Sequence, residues 1–185
     1  MKPAFIFLCY FLFCSLDSVA QKLFTKSGRV EFSSKTPLED IEATHRSAVC
    51  VLDTESGSLD FSILIKGFEF ENEEMQEHFN GDYLESDKFP KAQFKGQIIN
   101  NSSINYKKPG RYTAQVKGQI TIHGVSKDTQ ASAILKIEND HIAANSTFTV
   151  QVSDYNIKIP ALVKDKIAKS VNITIDARLD PLKAN

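Results

Sequence analysis

Tryptophan is absent and cysteine nearly so: Cys9, Cys14 and Cys50 are the three in the chain. Two of them lie in an N-terminal segment that reads as a removable leader, so Cys50 has no partner for an internal disulfide and stability has to come from packing. With Val49, Val51 and Leu52 around it, Cys50 reads as a small buried side chain rather than a reactive thiol. The motifs of the common enzyme classes are also missing: no nucleophile elbow, no metal-ligand spacing and no phosphate-cradling glycine loop. The four histidines, His45, His78, His123 and His141, are scattered without an HxH or HExxH spacing. These absences argue against an enzyme, a metal site and a cofactor. Charge of one sign is equally scarce, since 22 basic and 23 acidic residues are mixed along the whole chain. That removes the electrostatic footprint of nucleic-acid binding. It also gives no sign of an anionic membrane, and Lys107-Lys108 and the lysines between 164 and 169 read as solvated faces.

Long apolar runs are limited to one, Ala4 to Phe13, which is shorter than the roughly 20 residues a membrane-spanning helix needs. Preceded by Lys2 and followed by Ser18-Val19-Ala20, it has the three-part layout of a secretory signal peptide, with cleavage expected before Gln21. Phe13 stands where a lipid-modified leader needs a small residue before Cys14, so a soluble product is expected. Residues 1–20 are therefore set apart as leader, and 21–185 are read as one secreted or periplasmic domain.

What is abundant is alternation. Between Arg111 and His123, Tyr112, Ala114, Val116, Gly118, Ile120 and Ile122 fall on one face and polar residues on the other, the period of a strand with one buried side. The pattern recurs at 59–65, 92–98, 131–137, 142–152 and 171–179, with weaker candidates at 29–33, 41–46 and 48–53. About eight strands joined mostly by short turns predict an all-β fold, an antiparallel eight-stranded barrel that closes on itself. One or two short helices interrupt it. Asn72 can cap the first, with Glu73 and Glu74 in its first turn, Met75 and Phe79 on one face and Gly81 as its stop; Pro160 can open a second through Ala168.

Residue size on the inward face bears on function. Ala92, Gly96, Ala114, Gly118, Ala131, Ala133, Ala144 and Ser146 are too small to reach a barrel's centre, which implies a cavity. The opposing possibility is that they mark bends or sit opposite Phe61, Phe94 and Phe148, which would fill the space. The expected lining is Phe61, Ile63 and Ile65, then Phe94, then Ala114, Val116, Ile120 and Ile122, then Leu135, Phe148 and Val150. Glu74 and His78, spaced i, i+4, read as support for an exposed helix face. His123 precedes Gly124 and reads either as a turn residue or as a contact for a ligand headgroup. Asn100, Asn101, Asn145 and Asn172 match glycosylation sequons, a pattern frequent by chance.

Two ordered motifs carry a resemblance. The segment from Asp82 to Phe94, with Lys88-Phe89-Pro90 leading into Ala92-Gln93-Phe94, and the segment from Gly118 to Lys127, containing His123-Gly124, resemble the hallmarks of the YceI-like family. With Asp154-Tyr155-Asn156-Ile157-Lys158 and the last strand, the similarity covers about residues 58 to 180. The resemblance implies a lipocalin-like barrel, export in bacteria and an enclosed polyisoprenoid chain. The sequence departs from the pattern upstream, where Val49 to Gly57 carries no histidine-glycine segment, and it looks like the divergent form common in Bacteroidetes. Phe68, Phe70 and the segment 75–80 are expected to take up space at the mouth. The function expected is therefore an exported carrier of an apolar lipid or isoprenoid. The alternative left open is an exported interaction or envelope stress-response module with a filled barrel, no ligand and an envelope protein as partner. The oligomeric state is not set by the sequence.

Overall fold

Neighbours in the chain are neighbours in the sheet. The computed structural model describes residues 22–182, and the expected leader at 1–20 lies outside them. The strands are β1 (Lys22–Lys35), β2 (Asp40–Asp53), β3 (Ser58–Leu64), β4 (Phe68–Phe70), β5 (Lys91–Ile98), β6 (Gly110–Ile122), β7 (Val125–Ile137), β8 (Ile142–Gln151) and β9 (Ser170–Pro181). All pairings are antiparallel, and β1 bonds to both β2 and β9, so the sheet closes on itself. β3 and β4 bond to successive stretches of β2, Val49–Leu52 and Ala43–His45, and are separated by a tight turn at Ile65–Gly67. They share one position in the wall, which makes eight positions in all.

The β6–β7 hairpin is the most regular part. Thirteen consecutive pairs run from Gly110 opposite Ile137 to Ile122 opposite Val125. His123 and Gly124 make the two-residue turn with φ of 50° and 73°, the left-handed pair that matches strand twist. Ala114 and Val116 are buried while Arg111, Thr113 and Lys117 are exposed, as the alternation predicts.

The first two strands are longer than their sequence suggests. β2 joins the two stretches expected separately at 41–46 and 48–53, because a bulge at Arg46–Ser47 shifts the inward set from Ala43 and His45 to Ala48, Cys50 and Leu52. The Ser47 amide donates to His45 Nδ1 at 3.2 Å across this kink. β1 changes phase likewise between Thr25 and Gly28. One extra residue reverses the period of everything after it, so a reading of fixed period divides such a strand in two.

Asn72 caps α1 (Glu73–His78), its Oδ1 accepting from the Glu74 and Met75 amides at 2.9 and 3.2 Å. Gly81 is not the stop: the helix ends at His78 and the chain continues through a wider turn, Phe79–Tyr83, closed by the Leu84 amide donating to the Phe79 carbonyl at 2.9 Å. The second helix expected from Pro160 does not form. The segment makes isolated turns and is drawn out as a strap, held where the Ala168 amide donates to Ser34 Oγ at 3.0 Å and where Lys166 lies 3.6 Å from Glu39.

The two ends of the barrel differ. At the end bearing the β2–β3, β5–β6 and β7–β8 turns, Leu23, Leu52, Ile98, Ile104, Ile142 and Leu179 form a packed core. Asn100 fastens the β5–β6 loop there, accepting from the Gln115 amide at 2.7 Å and donating to the Thr113 carbonyl at 2.9 Å. Asn101 donates to the Thr54 carbonyl and accepts from the Tyr106 hydroxyl at 2.7 Å.

Candidate functional site

Above this core lies a cavity of about 510 Å³ that opens at the opposite end. A strand with one inward face presents every second side chain to the interior, so each strand contributes a short apolar ladder. Phe61 and Ile63 come from β3, Ile65 from the following turn, Phe94 from β5, Val116, Ile120 and Ile122 from β6, and Phe148 and Val150 from β8. Leu135 and Ala114 border the cavity from below but belong to the packed end: Ala114 is 0% and Leu135 3% exposed. All eleven sequence-derived positions thus surround one space. Ile120 and Ile122, inward yet only half-buried, owe that exposure to the open cavity before them.

The small inward residues divide into two groups. Ala131, Ala133, Ala144 and Ser146 leave room on the β7–β8 wall, and Ser146 Oγ is spent on the Ser132 carbonyl at 2.9 Å. Gly96 and Gly118 do not leave space for a ligand. They face each other across β5 and β6 beneath the Phe94 ring, and a Cβ would stand 2.5 Å from that ring at Gly96 and 2.8 Å at Gly118. Ala114 borders the cavity floor but is fully buried among core neighbours.

Several lining residues escaped the sequence reading. Phe32 and Ile41 lie on the bulged strands, where the period is broken; Ile173 and Ile175 lie on β9, whose alternation was plain but whose place between β1 and β8 was not. Ile157, Ile159, Val163 and Ile167 come from the strap, and Met75 from α1. Phe32, Phe68, Phe70 and Phe79 form an aromatic cluster with ring centroids 4.9–6.4 Å apart, which covers one side of the mouth as expected for Phe68, Phe70 and the helical segment.

Among the described residues, charged side chains border the cavity only at its rim: Glu39 and Lys166 on one lip, Glu74 and His78 on the other. His78 sits 2.6 Å from Asp82 and 3.7 Å from Glu74, and its hydrogen bond to Asp82 raises its pKa. Cys50 faces the interior, and burial pushes its thiol up to about 12, which leaves it unsuited to act as a nucleophile. His123 does not border the cavity. Its Nδ1 lies 3.0 Å from the Tyr155 carbonyl and its Nε2 2.7 Å from the Glu85 carboxylate, while its ring meets Phe89 edge-on at 4.6 Å. The two sequence motifs therefore form a clasp outside the barrel: the Lys88-Phe89-Pro90 segment packs on the His123-Gly124 turn, and a Cβ at Gly124 would stand 2.5 Å from Phe89. Glu138, Asp140 and His141 gather at the β7–β8 turn with metal-ligand atoms within reach of one another, but Lys136 lies 2.6 Å from Glu138 and Arg178 3.2 Å from Asp140, so side-chain cations already neutralise them.

A closed eight-stranded antiparallel barrel, packed at one end and hollow and apolar at the other, defines a lipocalin-like protein. The chain belongs to the YceI-like family, whose domain matches residues 21–179. A UPF0312 protein of Pseudomonas putida strain W619 is 26% identical over 100 residues, 51% of this chain and 48% of the relative, so the match spans about half the length of that relative. Among solved structures, a polyisoprenoid binding domain from Saccharophagus degradans implicated in plant cell wall breakdown shares the fold with a TM-score of 0.75 at 12% identity, covering 88% of this chain and 99% of that one. Burkholderia cenocepacia BcnA does so with a TM-score of 0.68 at 18% identity, covering 82% and 95%. The Campylobacter jejuni YceI protein follows at 0.55 and 22%, covering 75% and 81%.

Proposed function

We propose that this chain is an exported lipid-binding protein that holds an apolar, polyisoprenoid-like chain in its barrel. The observation that carries this reading is the cavity of about 510 Å³, apolar in its depth and charged only at its rim. That size falls within the range of small-molecule sites. The division suits a ligand with a long apolar body and a polar end left at the mouth. Each methylene taken from water contributes roughly 0.8 kcal/mol, so about 12 buried methylenes supply roughly 10 kcal/mol before the cost of association. No specific polar contact is required at depth, and the role is one of binding rather than catalysis. The polyisoprenoid binding domain of Saccharophagus degradans, sharing the fold, supports this ligand class. The layout of residues 1–20 supports export, with the mature chain beginning at Gln21.

The test is gentle purification followed by native mass spectrometry and organic extraction. A protein carrying a co-purified apolar chain, with its N-terminus at Gln21, is the expected result. An empty protein that also fails to take up a fluorescent isoprenoid would overturn the ligand, and an intact Met1 in protein recovered from its own host would overturn the export.

A further inference from the structure

The strap from 157 to 169 is two-sided. Ile157, Ile159, Val163 and Ile167 turn into the cavity, Lys166 stands at its rim, and Lys158, Lys164 and Lys169 are exposed. Lys166 is paired with Glu39, but among the described residues Lys158, Lys164 and Lys169 make no ion pair, and Asp165 is the one acid between them. Leu162, in the middle of these lysines, is 94% exposed, and Leu38, on the β1–β2 turn that the strap is tied to, is 67% exposed. The opposite lip, at α1, is acidic, with Glu73, Glu74 and Glu77 all exposed. In the sequence the lysines read as an ordinary solvated face. The fold places them on one side of the cavity mouth, around large apolar side chains that nothing among the described residues covers.

We propose that the strap lip is a docking surface for an anionic lipid bilayer, which sets the mouth of the barrel against the membrane from which its ligand is exchanged. The occupant follows from charge and chemistry: unpaired lysines attract an anionic surface, exposed leucines enter its apolar layer, and the acidic lip keeps the other side of the mouth turned to water. No helix of the described residues is long and apolar enough to cross a membrane. A few lysines and two leucines give weak, salt-sensitive binding, which suits a protein that has to leave again. This inference rests on the lipid-binding reading for its purpose, but not for its measurement.

The test is flotation of the full chain with vesicles of equal parts phosphatidylcholine and phosphatidylglycerol, and with phosphatidylcholine alone. Binding to the anionic vesicles only, lost at high salt, is expected. The triple variant Lys158→Glu/Lys164→Glu/Lys169→Glu should bind at least roughly tenfold more weakly, and Leu162→Asp should also reduce binding. Lys107→Glu/Lys108→Glu, a like change at the packed end, should leave it intact. All these sites are exposed, and thermal unfolding confirms that each variant folds. Flotation that is absent, indifferent to vesicle charge, or equally sensitive to the Lys107/Lys108 change overturns the proposal. Native mass spectrometry of the same protein separates the two readings: a loaded barrel that never floats removes the docking surface alone, and an empty one that floats through its strap removes the ligand alone.

Discussion

The packed end and the mouth of this barrel are built from the same strands, yet they use opposite rules. At the packed end Leu52 and Leu179 are 1% exposed and the β5–β6 loop seals the bottom with Asn100, Asn101 and Tyr106. At the mouth the inward residues of β6 and β8 face empty space, and covering is left to a six-residue helix and a strap without regular structure. A strand can therefore change from structural to functional along its length while its alternation stays constant.

This contrast can be broken by substitution. The largest effect is expected for Leu52→Ala, which should destabilise by about 2–5 kcal/mol, whereas Ile122→Ala at the mouth should cost less than half as much, both read from denaturant unfolding. Similar costs at the two ends would mean that the mouth is packed after all. Next comes Ala114→Phe: with no exposed surface to grow into, it should overpack and cost about 1–3 kcal/mol. A tolerated phenylalanine there would extend the cavity into what is now its floor.

A pH dependence is expected between these extremes. His45 is buried, its Nε2 lacks a partner in hydrogen-bond geometry, and burial lowers its pKa against weaker opposing effects of the Leu64 backbone and Glu69. The folded protein thus resists the proton that the unfolded chain accepts near 6.5. Its contribution to stability is fully present above that value and is lost as pH falls below it. Thermal unfolding from pH 7.5 to 5 should show this decline, and His45→Asn, which keeps an acceptor for the Ser47 amide, should flatten it. An unchanged slope in the variant would assign the dependence elsewhere. The smallest effect on stability is expected for Ala131→Phe, which projects into open space and should shift stability by less than about 0.5 kcal/mol while displacing ligand, seen as loss of co-purified lipid. Strong destabilisation instead would mean that the β7–β8 wall is closely packed.

How much of this was legible in the sequence follows from where its periods are unbroken. β6, with thirteen paired residues and no bulge, could be read to within a residue or two, and with it the inward positions from Ala114 to Ile122. The bulges at Arg46–Ser47 and between Thr25 and Gly28 hid the length of β1 and β2 and the inward place of Phe32 and Ile41. Small residues carried an ambiguous message, because a glycine that makes room for a neighbour's ring and an alanine that makes room for a ligand look alike until Phe94 is seen lying over Gly96 and Gly118. The strap differs from the short helix expected there because Pro160, which suits a first helical position, is followed by turns whose apolar residues Val163 and Ile167 face the mouth.

The seam where β1 meets β9 has a temporal consequence. Ser33 pairs with Asn172 and Leu23 with Pro181, so the wall cannot shut until the last strand of the chain has found the first. Such distant partners come together late and at a high entropic cost, and until then β1 and β8 both offer open edges to any other strand. The barrel is thus vulnerable to misassembly for as long as β9 is missing. A chaperone holding the half-built trough would act on yield rather than on final stability, whereas a lipid that stays bound would raise both.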